Sequence, residues 1–197
     1  TVNDALTLSG TTRLELVLVA SSDTMPEFSS FSAGLTAIQD DSSLQALRNT
    51  YQADLVIGLA PQSLGGGGLA RGPCGGQPNS EVTFAATVPA GSTYSFAHEI
   101  GHLLGGSHLE ENVSPTAPCR PNAAYSYAYA VEGTDANNKG YRTFVATPGA
   151  NGTANTKSSG MYSNPDVNFP NGVAAGTATA NNVRMFEEMA PFIAGYR

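Results

Sequence analysis

The sequence predicts an α/β fold with a mostly parallel sheet in its first half and an irregular second half. Short apolar runs typical of strands alternate with helical patterns up to about residue 105, which favours parallel strands joined by helices. Residues 109–180 are rich in Asn, Gly, Pro and Thr. We therefore expect one domain, with an upper α/β subdomain over residues 1–105 and a loop-rich lower subdomain over residues 106–197 that ends in a helix.

Apolar spacing and capping residues predict the individual elements. Alternating or continuous apolar residues indicate strands over residues 12–20, 54–60 and 81–88. Apolar residues at helical spacing indicate helices over residues 42–52, 93–104 and 181–196. Ser42 or Ser43 is the expected N-cap of the first of these helices, and Ser92 is that of the second. Gly65–Gly68 form a flexible loop that is either a plain linker or the rim of a binding cleft.

The composition argues against several kinds of partner. Lys and Arg number 9 against 16 Asp and Glu, which gives a net charge of −7. Such an acidic chain is a poor match for nucleic acid or for an anionic membrane surface. No run approaches the roughly 18 apolar residues that a membrane span needs. The few lysines and the neutral polar residues favour a secreted protein, and we expect a monomer.

The two cysteines lie in segments rich in Gly and Pro. Cys74 and Cys119 are 45 positions apart (119 − 74). In an oxidising compartment they would form one disulfide, which stabilises a fold by about 4 kcal/mol through loop closure. Two unrelated buried thiols are the alternative. We favour the disulfide because these segments otherwise lack anchors.

All three histidines of the chain fall within eleven residues, from His98 to His108. His98 and His102 are four positions apart, so on a helix they project from one face, roughly opposite its apolar side, with Glu99 beside them. Catalytic zinc takes three protein ligands and keeps a fourth position open. His108 supplies the third ligand if the chain reverses after the helix. Gly105 permits that reversal, because glycine adopts left-handed conformations without a steric penalty.

The spacing His-Glu-x-x-His-x-x-Gly-x-x-His is highly specific. In a shuffled sequence of this composition it would arise with a probability of about three in a million. Three unrelated histidines at a helix end are therefore a weak alternative. A structural zinc site is a stronger alternative, but such a site does not need Glu99, and the segment offers no fourth His or Cys ligand.

This segment is the metzincin signature of zinc endopeptidases, and the rest of the chain resembles that group more loosely. The chain is similar to reprolysin-like enzymes and, more closely, to bacterial peptidyl-Asp metalloendopeptidases. The supporting matches are residues 47–56, 94–99, 141–144, 163–167, 176–178 and 181–182. The resemblance implies a metzincin-like fold, with a twisted sheet and an active-site helix. Residues 1–6 resemble the end of the family's first long helix, so we expect a processed or truncated form.

The resemblance implies a secreted zinc endopeptidase that cleaves extended polypeptides. His98, His102 and His108 would hold one catalytic Zn²⁺, and Glu99 would accept a proton from the zinc-activated water as general base. The alternative is a metal-bearing binding module or adhesin that derives from a protease and no longer turns over. Calcium in the long loops is a second candidate ion, although the sequence lacks an EF-hand spacing.

Two stretches are expected to form the sides of the substrate cleft. An edge strand near Gly68, Leu69 and Ala70 would pair with the extended substrate backbone. The segment 145–168 would form the wall of the pocket for the residue after the cut. The expected substrate-binding residues of that wall are Val145, Met161 and Tyr162.

The resemblance suggests an acidic substrate residue in this pocket. Three cations are equal candidates to contact it: Arg142, Lys157 and Arg120.

The sequence departs from the family pattern at two positions near the zinc motif. A methionine is expected in the turn beneath the zinc, and Val145 takes that position if residues 142–147 form the turn. Met161 is the other candidate, although it precedes a segment that usually lies beyond the turn. A valine would fill the same apolar floor with a slight packing loss. Leu109 stands where many reprolysin-like enzymes have Asp, which removes one contact to the metal ligands.

Overall fold

The computed structural model describes residues 1–23, 28–65, 67–72, 85–89, 91–113, 124–133 and 139–195. The α-helices in this part of the chain are α1 (Val2–Leu8), α2 (Phe31–Asp40), α3 (Ser42–Tyr51), α4 (Thr93–Leu103) and α5 (Asn182–Ile193). The strands are β1 (Val56–Ala60), β2 (Leu69–Arg71), β3 (Ala85–Pro89), β4 (Ala130–Val131), β5 (Gly140–Arg142), β6 (Thr156–Ser158), β7 (Asn164–Asn168) and β8 (Ala174–Ala175). The fold is thus mixed α/β.

The sheets are mixed, and the expectation of a mostly parallel sheet is wrong for the described residues. The upper sheet has the order β1-β3-β2, with β1 parallel to β3. The strand β2 runs antiparallel to β3 and lies at the edge, because the chain turns back after β1. The lower half holds a second mixed sheet, β4-β5-β6, and the antiparallel pair β7 and β8.

The strand predicted over residues 12–20 does not form. Val17 and Leu18 are 71% and 84% exposed, and no strand of the described residues pairs with this segment. The side chain of Asn3 instead holds the backbone of Leu16, accepting its N–H at 2.9 Å and donating to its carbonyl at 3.0 Å. The prediction fails because apolar alternation favours a strand only where a neighbouring strand can satisfy the backbone.

Helix α2 was not predicted, although its start carries a recognisable signal. Ser30 is its N-cap and accepts the N–H of Ala33 at 3.1 Å. Leu35 and Ile38, three positions apart, are buried on one face. The predicted helix over 42–52 is present as α3, but its N-cap is Asp41 rather than Ser42 or Ser43.

Helix α4 lies at the centre of the main core and forms where the sequence predicts it. Its N-cap is Ser92, as expected, and the side chain of Ser92 accepts the N–H of Ser95 at 3.2 Å. Its apolar side chains share one buried cluster with side chains of α1 and α5. The buried residues that these three helices contribute are Val2, Ala5, Leu6, Ala97, Ile100, Leu103, Val183, Met185, Phe186, Met189 and Ile193. The opposite face of α4 is thereby left for a site.

Two further expectations concern the chain as a whole. Among the described residues, no helix is both long and apolar enough to cross a bilayer. Cys74 and Cys119 lie outside the described residues, and so does Arg120. The disulfide between the two cysteines therefore stays a prediction.

Candidate metal centre

Helix α4 and the loop after it bring the three histidines together. The Nε2 atom of His98 lies 3.2 Å from the Nε2 atoms of both His102 and His108, and the latter two atoms are 3.1 Å apart. Three nitrogens bound to one tetrahedral zinc ion at about 2.0–2.1 Å would lie about 3.3 Å from each other. The donor set and its spacing therefore fit zinc. Among the described residues this is the only cluster of three or more His, Cys, Asp or Glu side chains that could hold a metal ion, and it contains no carboxylate.

The reversal that brings in His108 depends on Gly105, as the sequence predicts. Gly105 has φ +93°, in the left-handed region that favours glycine. The next residue, Gly106, donates its N–H to the carbonyl of Gly101 at 2.8 Å and so closes the end of the helix. A β-carbon at Gly105 would also lie 2.8 Å from Cε of Met185 on α5. The backbone conformation therefore favours glycine here, and an added β-carbon would also displace the end of the Met185 side chain.

Backbone carbonyls orient two of the rings. The Nδ1 atom of His98 lies 2.7 Å from the carbonyl oxygen of Phe144, and Nδ1 of His102 lies 2.9 Å from that of Gly106. Because a carbonyl only accepts, each Nδ1 carries the proton and donates. The Nε2 atoms are then unprotonated and have a lone pair for a metal ion.

Burial favours the neutral form of the histidines. Loss of hydration lowers the pKa of His98 to about 4 and that of His102 to about 3, with the neighbouring imidazoles adding to the shift of His102. Burial also lowers the pKa of His108. All three rings are consequently neutral at pH 7, which is the state that binds zinc.

Glu99 is buried beside this cluster, next to the start of β2. It is 4% exposed, and the loss of hydration raises its pKa to about 8. A β-carbon added to Gly68 would stand 2.7 Å from Oε1 of Glu99. The carboxyl group is thus held between α4 and β2, and such a position with a raised pKa is typical of proton-transfer groups.

The histidines and Glu99 lie in an open cleft of about 640 Å³. One side is formed by residues 67–72, so the Gly-rich loop forms a rim rather than a plain linker. The predicted residues Gly68, Leu69 and Ala70 all line the cleft. The other lining residues are Gly67, Arg71, Gly72, Tyr94, Ser95, Gly105, Gly106, Ser107, Thr147 and Pro148. The cleft runs along an edge strand, as an extended ligand would require.

The three wall residues predicted from the sequence do not line this cleft. Val145 and Tyr162 are fully buried, and the Tyr162 hydroxyl donates to the carbonyl of Ala97 at 2.8 Å. Val145 packs against Gly101 of α4, beneath the metal ligands. Met161 lies in a separate apolar cluster. The arrangement favours Val145 as the floor of the site, while Tyr162 supports the helix from below.

Sequence reasoning missed Tyr94 as a lining residue, and it placed Thr147 and Pro148 in the predicted wall segment 145–168 without singling them out. A signal for Tyr94 was available, because it lies four positions before His98 and so on the same face of α4. Its hydroxyl donates to the carbonyl of Ala146 at 2.6 Å, which ties α4 to the opposite wall. Nothing local in the sequence marks Thr147 or Pro148.

Comparisons with known proteins agree with this geometry. The profile of the reprolysin-like metallopeptidase family M12B matches residues 1–109. A peptidyl-Asp metalloendopeptidase of Stenotrophomonas maltophilia (strain K279a) is 34% identical over 158 residues, which cover 79% of this chain and 34% of that protein. A protein of the same name from Xanthomonas campestris pv. campestris is 32% identical, again over 79% of this chain and 34% of its own length.

The chain spans about a third of the length of these curated relatives. A chain from a solved chaperone–substrate complex shares the fold, with a TM-score of 0.56 at 19% identity. That match covers 88% of this chain and 26% of the other.

Proposed function

Since the chain belongs to the reprolysin-like metallopeptidase family M12B, we propose that it is a secreted zinc-dependent endopeptidase that cleaves extended polypeptides. The observation that carries this proposal is the convergence of three Nε2 atoms at 3.1–3.2 Å beside a buried carboxyl group. The acidic, lysine-poor composition is in keeping with secretion. We also propose that the protein acts as a monomer.

His98, His102 and His108 would hold the zinc ion. When bound, zinc would act as a Lewis acid that lowers the pKa of a coordinated water molecule and polarises the scissile carbonyl group. The Phe144 and Gly106 carbonyls keep two of the rings in the tautomer that presents Nε2. The protein thereby orients these two rings independently of a metal ion.

Glu99 is the proposed general base. It accepts a proton from the attacking water molecule and then donates that proton to the amine nitrogen of the leaving peptide. Its position between α4 and Gly68 leaves few alternative orientations for the carboxyl group. A nearby divalent cation would lower its pKa from the raised value that burial produces, and so favour the carboxylate that accepts the proton.

The edge strand β2 is the proposed substrate platform. It hydrogen-bonds to β3 on one side and faces the cleft on the other. Among the described strands this edge of β2 has no partner, and an extended peptide that adds to it gains main-chain hydrogen bonds, which do not depend on its side chains. The relatives are named peptidyl-Asp metalloendopeptidases, so we further propose an acidic residue just after the cut.

The test is a peptide-library digest by wild type and by Glu99→Gln, with zinc content measured for both. We expect about one zinc per chain in each protein, and cleavage by wild type only, reduced by at least about 100-fold in the variant. Glu132→Gln, an exposed change far along the chain, is the matched control and should cleave like wild type.

Zinc without turnover in wild type would contradict the endopeptidase and indicate the binding-module alternative. Equal turnover by wild type and Glu99→Gln would contradict the role of Glu99 and leave the metal centre standing.

A further inference from the structure

Arg142 at the end of β5 is a half-buried cation close to the cleft. Its Nη1 atom donates to the carbonyl oxygen of Thr156 at 2.6 Å and lies 3.3 Å from the Thr156 hydroxyl. Its guanidinium carbon lies 5.4 Å from the centre of the Tyr94 ring. These contacts hold one end of the guanidinium group in place.

The charge of Arg142 has no anionic partner in the described part of the chain. No ion pair to a carboxylate forms there, and its Nε atom is buried without a hydrogen-bond acceptor. A buried donor without an acceptor costs free energy, more so when the group is charged. The Nε side of a guanidinium group is an edge that binds a carboxylate through two parallel hydrogen bonds. Among the described residues, the Nε atom of Arg142 therefore lacks the acceptor that an anion would provide.

Tyr94 connects this cation to the candidate active site. Its ring lines the cleft, with its centre 5.9 Å from that of the His98 ring. Its other neighbour is the Arg142 guanidinium, and its hydroxyl bonds to Ala146, the residue before the cleft wall at Thr147. Arg142 thus lies one side chain behind the wall of the cleft.

The other cations near this region are less suited to the role. Lys157 is exposed, and its ammonium nitrogen lies 4.6 Å from the centre of the Tyr141 ring, within a different apolar cluster. Arg71 lines the cleft, but it is exposed and donates to the side chain of Gln39. Neither combines partial burial with an unsatisfied donor as Arg142 does.

We propose that Arg142 determines specificity by binding the carboxylate of an acidic substrate residue immediately after the scissile bond. This inference rests on the proposed endopeptidase function. The Nε edge is buried behind the Tyr94 ring, so the substrate carboxylate would displace that ring to accept hydrogen bonds from the edge, while Thr156 keeps the guanidinium in position. Tyr94, between the cation and the cleft, would form the side of the pocket.

The experiment uses two peptides that differ only in Asp or Asn after the cleaved bond, with kcat/KM measured for each. Wild type should prefer the Asp peptide. In Arg142→Gln that preference should fall by roughly 10- to 100-fold, as expected for loss of a charged hydrogen bond, while kcat/KM for the Asn peptide stays within about 3-fold. Arg142→Lys should keep part of the preference because it keeps the charge. Lys157→Ala, an exposed change outside the cleft lining, is the matched control and should keep all of it.

Each other outcome has a definite meaning. If wild type cleaves and Arg142→Gln retains the full Asp preference, this inference is wrong and the endopeptidase stands. If Arg142→Gln loses activity on both peptides equally, Arg142 supports the fold and does not read the substrate. If wild type cleaves neither peptide nor the peptide library, the proposed function fails and this inference fails with it.

Discussion

Val145 lies directly beneath Gly101, so closely that a β-carbon added to Gly101 would stand 2.5 Å from Cγ2 of Val145. Gly101 is the residue of α4 that precedes His102, and Val145 is fully buried. The floor of the candidate metal centre and the helix that carries two of its ligands are therefore in close contact. The fit leaves no room for even one methyl group.

Gly101→Ala should therefore destabilise the protein, although alanine favours a helix over glycine by about 1 kcal/mol. We expect a net loss of roughly 1–3 kcal/mol from overpacking, together with a lower zinc content. Urea unfolding and metal analysis measure the two effects. The double variant Gly101→Ala/Val145→Ala is the control, and it should recover part of both. A single variant as stable as wild type would contradict the close fit.

The metal-free protein should lose stability as the pH falls from about 6.5 towards 4. In this range the histidines of the unfolded chain, with pKa values near 6.5, take up protons. Burial keeps His98 neutral down to about pH 4 and His102 down to about pH 3, so the folded protein does not bind these protons. The free energy of unfolding therefore decreases as protons are added. Urea unfolding at several pH values, in the presence of a chelator, measures how the free energy of unfolding changes with pH.

Glu99 has the opposite effect on the change of stability with pH over part of that range. Its folded-state pKa of about 8 lies above its unfolded value, so its contribution is present at low pH and is lost as the pH rises through 8. Three histidines outweigh one carboxyl group between about pH 4.5 and 6.5. Glu99→Gln should make the rise of stability with pH steeper in that window. A slope unchanged by the substitution would contradict the raised pKa.

Ser9→Ala should cost about 1–3 kcal/mol of stability, because it leaves a buried donor unpaired. Ser9 is fully buried; its hydroxyl oxygen accepts the N–H of Tyr162 at 2.8 Å and donates to the carbonyl of Ala5. This residue joins α1 to the segment below α4. Ser43→Ala, an exposed change in α3, is the control and should stay within about 0.5 kcal/mol of wild type. The urea concentrations at the unfolding midpoints of the two variants and of wild type measure the loss.

Gly72→Ala should impair substrate binding more than metal binding. A β-carbon at Gly72 would lie 2.5 Å from the carbonyl oxygen of His102, so the end of β2 must move away from α4. Displacing the proposed platform should lower kcat/KM for peptides by about 10-fold or more. Zinc content should remain near that of wild type, because the imidazoles are untouched. Loss of zinc with unchanged kcat/KM per zinc-bound chain would argue against the platform.

The sequence predicts the convergence of the three histidines at the candidate metal centre because these residues are close together in the chain. A helix, a left-handed glycine and a third histidine follow one another within eleven residues, and this spacing brings the three imidazoles close together through local backbone conformation. The cap at Ser92 is equally local. Distant segments then refine the arrangement: the Phe144 carbonyl orients His98, and Ala128 donates its N–H to the carbonyl of His108.

Elements that depend on distant partners are less predictable. Residues 12–20 have a strand pattern, but whether they pair depends on a neighbouring strand elsewhere in the chain. The choice between Val145 and Met161 for the floor likewise depends on which turn passes beneath α4. The cation behind Tyr94 is indistinguishable from other arginines until β5 is placed next to α4.

The carbonyl that orients His98 comes from Phe144, 46 positions along the chain, whereas all three imidazoles lie within eleven residues. The entropy lost on closing a loop grows with its length, so an incompletely folded chain gathers its imidazoles far more readily than it brings in that carbonyl. We expect the three histidines to bind a divalent ion early in folding. The Phe144 carbonyl would orient the His98 ring only later. Zinc supplied during refolding should then accelerate recovery of the native protein, beyond stabilising the finished fold.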